Sequence, residues 1–273
     1  MTIRILLPTG SAHKQRCETF EASVPNAAPA FDYASLPIGI VGHASVYYDP
    51  ALGSAGKTLA TQVFSRMART IVACEVFFGM ASLDFNVIIA NLQGSGVHNG
   101  YGGAYHYGCD FTTGRTMYVD AAFGNPDRTI GLVVAELTEC FMGYQNKGWN
   151  CGGSNGEALS RFLAELRSGG ANGQLAPYTS APAWDQAGRP NWIDQTENTD
   201  RNTVSTGCGV LYLWWMLSQG YTPAQITQAG GATLADNYAA LVSPQPASQA
   251  WTYFSVALSN FPIGTINTDN PWS

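Results

Sequence analysis

Charge is what this sequence has least of. Only 12% of its 273 residues are Asp, Glu, Lys or Arg, against about 25% in an ordinary soluble domain. Lysine is reduced to Lys14, Lys57 and Lys147. A disordered chain needs high charge and low hydrophobicity, so disorder is excluded. The net charge of -6 leaves no basic footprint, which argues against nucleic-acid binding. No apolar run reaches the roughly 18 residues that a membrane-spanning helix needs. No two cysteines form a CxxC pair, so zinc-ribbon and thioredoxin-like motifs are absent.

What is present is apolar: 45% of the residues are hydrophobic and 12% aromatic, with 30 glycines. A chain of this length and composition folds around a large core. The six cysteines are Cys17, Cys74, Cys109, Cys140, Cys151 and Cys208. An even count with little lysine reads as extracellular, and 15 pairings are open. Cys74, inside an apolar helical stretch, reads as a small buried hydrophobe. The only apolar core within residues 1–20 is Ile5-Leu6-Leu7, too short for a signal peptide. The expectation is a secreted protein whose signal segment is not part of this sequence.

The chain reads as α+β: a mixed sheet with an active-site helix, then a mostly helical C-terminal half. Residues 1–25 form an N-terminal extension, 26–146 an α/β subdomain, and 147–273 a helical subdomain packed on it. Strands are expected at Ala44 to Tyr48, Phe85 to Leu92, Ala104 to Phe111 and Thr116 to Phe123. A glycine-rich loop covers Gln93 to Gly103. Helices are expected at Lys57 to Phe78, Thr129 to Asn146, Asn155 to Arg167, Gly207 to Gln219, from Thr222-Pro223, and at Thr233 to Val242. Gly79 stops the first of them, and Ser154 or Asn155 caps the third. Residues 174–203 read as loop.

The chemistry concentrates in residues 129–167. On the helix from Thr129, Ile130, Val133, Val134, Leu137 and Phe141 share one stripe. Glu136 and Glu139 lie on the other side, three residues apart, so their Cβ atoms are about 5–6 Å from each other. Two such carboxylates repel, and one pKa rises if their face is enclosed. Cys140 shares the Glu136 flank. Among the four histidines, His106 is the best placed for proton transfer or substrate contact. A pair of His106 with Cys109 or Cys140 is a thiol-nucleophile alternative. Gly152-Gly153-Ser154-Asn155-Gly156 spells GxSxG, but no strand precedes it and no histidine follows. Asp194, Glu197 and Asp200 form an acidic loop with no EF-hand spacing.

The order of helix, buried strand, glycine-rich edge strand, further strand and Glu136-Leu137-Thr138 helix resembles the zincin metallopeptidases over roughly residues 40–165. That family carries His-Glu-x-x-His on this helix. Aligned on Glu136-Leu137-Thr138, the histidine positions hold Ala135 and Glu139, while Glu136 matches the general base. Asn155-Gly156-Glu157-Ala158 resembles the motif that supplies the third ligand in the gluzincin branch, which assigns Glu157. The resemblance also places His106 on the edge strand that borders the substrate cleft. With both imidazoles replaced, the set does not make the usual zinc site, and no cofactor is expected. Ca²⁺ is the cation such carboxylates suit, although it wants six or more oxygens.

The resulting expectation is a secreted hydrolase with a degenerate zincin site. Glu136, Glu139, Glu157 and His106 are its catalytic group, working by carboxylate acid–base chemistry on a glycan. Tyr105, Tyr107, Trp149 and Asn155 are the substrate-binding candidates, and Tyr101, Trp184 and Trp192 further aromatics able to line a cleft. The partner is a polysaccharide or protein substrate, with no nucleic acid and no membrane. Two alternatives stand beside it: a non-catalytic, lectin-like or pseudo-peptidase binding protein, and a peptidase using an unusual metal or a cysteine nucleophile.

Overall fold

The computed structural model of the protein describes residues 2–7, 16–23, 31–92 and 103–273. It is an α+β arrangement of seven strands and eight α-helices among those residues. Strands β1 (Thr2–Leu7), β2 (Arg16–Ser23), β3 (Leu36–Val41), β4 (Ala44–Tyr48), β5 (Phe85–Ala90), β6 (Ala104–His106) and β7 (Thr116–Asp120) lie in the order β1-β2-β3-β4-β5-β7-β6. β4, β5 and β7 run parallel. β6 is the edge strand, antiparallel to β7. The expected glycine-rich loop falls on residues 93–102, with Tyr101, which lie outside the described residues, as do His13 and His98.

Helix α1 (Gly53–Phe78) joins β4 to β5, and α2 (Pro126–Gln145) follows β7. Both cover one face of the sheet. β5 explains why: Phe85, Val87 and Ile89 face the helices, while Ile88 and Ala90 face the other way. A strand buried on both faces reads as a continuous apolar run. The far face carries a second cluster of Tyr47, Ile88, Ala90, Leu92 and Tyr118, with Phe31, Tyr33 and Tyr105 packed on it. Phe78 and Phe141 stack at 4.9 Å between α1 and α2, and Arg66 reaches Asp127 at 3.0 Å.

Helix α2 starts earlier than its apolar stripe. Pro126 occupies its first turn and the Asn125 side chain accepts from the backbone N–H groups of Asp127 and Arg128. The expected stripe of Ile130, Val133, Val134, Leu137 and Phe141 is buried. Next comes α3 (Ser154–Arg167), whose cap is Gly153 with no side-chain bond. Ser154 instead takes a hydrogen bond from the Glu197 N–H at 3.0 Å, which corrects its expected capping role.

The rest is helical: α4 (Ala181–Gln186), α5 (Thr203–Ser218), α6 (Pro223–Ala229), α7 (Leu234–Leu241) and α8 (Ala250–Leu258). α5 is buried without interruption from Ser205 to Met216. A helix apolar all round belongs in the middle of a bundle, and α3 and α4 pack against it. One hydrophobic cluster runs from Val41 to Ile266 and includes sheet and C-terminal helices alike. Among the described residues no helix is long and apolar enough to cross a membrane.

The strand expected over Ala104 to Phe111 stops at His106. Two things turn the chain there. Cys109 is tied by a disulfide to Cys151, and the Asp110 carboxylate accepts from Thr112 N, Thr113 N and Thr113 Oγ1. Cys74, Cys140 and Cys208 are free and buried, as the apolar setting of Cys74 led one to expect. Burial pushes the Cys74 thiol up to about 12.

Candidate functional site

Three elements bring the site together. The edge strand β6 ends on His106, α2 supplies Glu136 and Glu139, and α3 supplies Glu157 and Ser160. His106 sits on the helix-facing side of β6 because Tyr105, its neighbour, faces the other way. Side-chain exposure is 3% for His106, 11% for Glu136, 15% for Glu139 and 17% for Glu157. The carboxylates are thus nearly enclosed, with a narrow share left to solvent.

Glu136 Oε2 is 2.9 Å from His106 Nδ1. The two atoms are close, but the geometry is not that of a hydrogen bond, and Nδ1 has no hydrogen-bond partner. The other ring nitrogen, Nε2, is 3.6 Å from Glu139 Oε2. Glu157 Oε1 accepts from Arg161 Nε at 2.6 Å, one helical turn on. Arg161 also donates to the Tyr178 carbonyl, which fixes the guanidinium.

The Glu139 carboxyl is held well above the usual carboxylate range. Burial is the main cause, followed by the charges of Glu136, Glu157 and Asp200, while a hydrogen bond with Ser160 opposes it. The expected repulsion between Glu136 and Glu139 therefore operates, and Glu157 joins it from the next helix. Ser160 and Asp200 are site neighbours that the sequence reading left out. Ser160 is legible in hindsight, three residues past Glu157 on one helix face. Asp200 belongs to the acidic loop of Asp194, Glu197 and Asp200, whose spacing gives no sign that it lies near Glu139. Of its loop companions, Glu197 accepts from Asn202 Nδ2 and Ser205 Oγ at the start of α5.

The substrate-binding candidates go elsewhere. The Tyr105 and Tyr107 hydroxyls both donate to Asp32, at 3.2 and 2.8 Å, and Tyr105 stacks on Tyr118 at 4.8 Å. Adjacent strand residues face opposite sides, so Tyr105 cannot share His106's face. Trp149 is buried, its Nε1 donating to the Thr227 carbonyl at 3.0 Å. Trp184 is buried likewise, donating to Pro190 O. Asn155 is buried too, its amide shared among the carbonyls of Gly148, Gly231 and Ala232. It ties the α2–α3 loop to the α6–α7 loop.

The thiol-nucleophile alternative fails on two counts. Cys109 is in the disulfide. Burial, then the charges of Glu136 and Glu139, raises the Cys140 thiol, and its Sγ lies 3.3 Å from the Gly114 carbonyl. A usable thiolate needs the opposite environment. The zinc arrangement of the zincins does not fit either, since Ala135 offers no ligand. A depression of about 260 Å³ lined by Leu52, Leu59, Asn91 and Asp120 lies at the carboxyl ends of β5 and β7, apart from the carboxylate cluster.

Fold and site together define an α+β protein with a nearly buried histidine and carboxylate centre, held between an edge strand and two helices. No protein-family model matches the chain, and no curated protein matches it.

Proposed function

We propose that the chain is a hydrolase of zincin-like ancestry in which a carboxyl pair has taken over from the metal. One observation carries the reading: Glu139 is pressed by burial and by two neighbouring glutamates to keep its proton. A carboxylic acid that stays protonated beside a second carboxylate is the arrangement of an acid–base pair. Glu139 gives its proton to the leaving oxygen as the scissile C–O bond breaks. Glu136, steadied by the His106 ring, takes a proton from the attacking water, whose oxygen ends on the carbon.

A glycosidic bond is one that two carboxyl groups can cleave without a metal. The aromatic residues first expected to bind a sugar lie elsewhere, so the glycan reading rests on the carboxyls. The disulfide fits an oxidising, extracellular setting. Trp149, which a sugar-binding protein would also need at its surface, is interior.

The test is turnover of a panel of polysaccharides and oligosaccharides by the wild type and by Glu136→Gln. The expected loss is about 10²–10⁴-fold, the usual contribution of one acid–base group, with the fold retained by circular dichroism. A fully active variant, or a wild type inert on every member of the panel, overturns the assignment.

A further inference from the structure

One group of metal-ligating atoms converges in this site, and it is not the zincin set. A ring nitrogen of His106, a carboxylate oxygen of Glu139 and the Sγ of Cys151 all lie within 4.8 Å of one another. Ligands of a tetrahedral zinc at bond lengths of about 2.0–2.3 Å stand about 3.3–3.8 Å apart. His106 Nε2 and Glu139 Oε2, at 3.6 Å, already meet that spacing. The His106 side chain is 97% buried, yet its Nδ1 has no hydrogen-bond partner and instead faces Glu136 Oε2 at 2.9 Å. A carboxylate stands beside one ring nitrogen while the other, Nε2, faces Glu139; in metal-bound histidines such a carboxylate also accepts a hydrogen bond, which is not made here.

What stands in the way is the bond between Cys151 and Cys109. We propose that the Cys109–Cys151 disulfide is a redox gate on a metal site: reduction frees Cys151 to bind Zn²⁺ with His106 and Glu139. A dithiol or phosphine reductant supplies two electrons, two protons complete the two thiols, and the reductant is oxidised. On metal capture the Cys151 thiol and the Glu139 carboxyl each release a proton to solvent and bind as the thiolate and the carboxylate. Nitrogen, oxygen and sulfur donors are the set zinc takes, and three protein ligands leave its fourth position open. The site itself stands without the hydrolase reading. If that reading holds, metal capture withdraws Glu139 from proton transfer and silences the acid–base pair.

The experiment compares metal uptake by four proteins: oxidised wild type, wild type reduced with a phosphine, Cys109→Ser, and Cys109→Ser combined with His106→Ala. Zn²⁺ is measured by elemental analysis after dialysis, and Co²⁺ by absorption. The reduced protein and Cys109→Ser are expected to hold one metal per chain, with a thiolate-to-cobalt charge-transfer band. Oxidised wild type should bind at least tenfold more weakly, and the His106→Ala combination at least tenfold more weakly than Cys109→Ser alone. Circular dichroism checks folding, and reduced wild type serves if Cys109→Ser does not fold. No metal uptake on reduction, unfolding of the reduced protein with no metal held, or a cobalt complex without the thiolate band overturns the proposal. Because metal content is read without turnover, this outcome is separate from that of Glu136→Gln.

Discussion

Glu139 puts two demands into conflict at one residue. Its folded-state pKa is raised, by burial first and then by Glu136 and Glu157. Between its ordinary value of 4.5 and that raised value, the folded protein binds a proton that the unfolded chain has lost. Stability must then fall as pH rises through that window. Glu139→Gln removes the titrating group while keeping its shape. The variant is expected to melt higher than wild type at pH 7, with the gain shrinking towards pH 4, while hydrolysis is lost. Thermal melts of both proteins across pH 4–8 measure this. A gain that does not change with pH would show that the Glu139 carboxyl is not the group responsible. A stabilised but inactive variant is the usual mark of a site kept at some cost to the fold.

At the scale of elements, the site depends on helices that let a loop come close. Gly143 on α2 has no room for a side chain: a Cβ there would lie 1.8 Å from the Cys109 carbonyl oxygen. Gly156 on α3 is similar, with the Asn150 carbonyl oxygen 2.0 Å from its added Cβ. These two glycines let both ends of the disulfide pack against α2 and α3. Gly143→Ala is expected to cost about 1–3 kcal/mol, the range for overpacking, and Gly152→Ala, where the nearest atom is 3.8 Å away, should be nearly neutral. Urea unfolding distinguishes them; equal stabilities would mean that the close approach is not maintained in solution. The same scale shows what the sequence could tell. The apolar stripe placed α2, the (i, i+3) spacing placed Glu136 beside Glu139, and β-branched residues placed β5. Tyr105 was misplaced although strand alternation opposes it to His106, and α4 and α8 went unseen because they are short and lie in stretches without clear periodicity. Trp149 shows a different limit. A loop tryptophan reads as a cleft residue until the α6 carbonyl that receives its N–H is known, and that contact spans 78 residues.

For the whole molecule, the scarcity of charge shifts the burden of stability onto apolar packing and one covalent tie. The C-terminal helices surround α5 as their composition requires, and few surface ion pairs add to them. The disulfide closes a loop across 42 residues that contains β7, α2 and the helix's two glutamates. The chain-entropy relation gives about 4 kcal/mol for a loop of that size. Cys109→Ser combined with Cys151→Ser is therefore expected to lose about 4 kcal/mol in denaturant unfolding. Wild type in a phosphine reductant should lose the same amount when a chelator is present. Adding Zn²⁺ to the reduced wild type should restore part of the loss, since a ligand that binds only the folded state raises its stability. The double serine variant, which lacks the thiolate, should show no such recovery. If removing both sulfurs costs nothing, the bond does not hold the fold. If zinc rescues the double variant as well, Cys151 is not the ligand. Either way the result separates the structural task of the sulfur pair from its task at the carboxylate centre, where Cys151 meets His106 and Glu139.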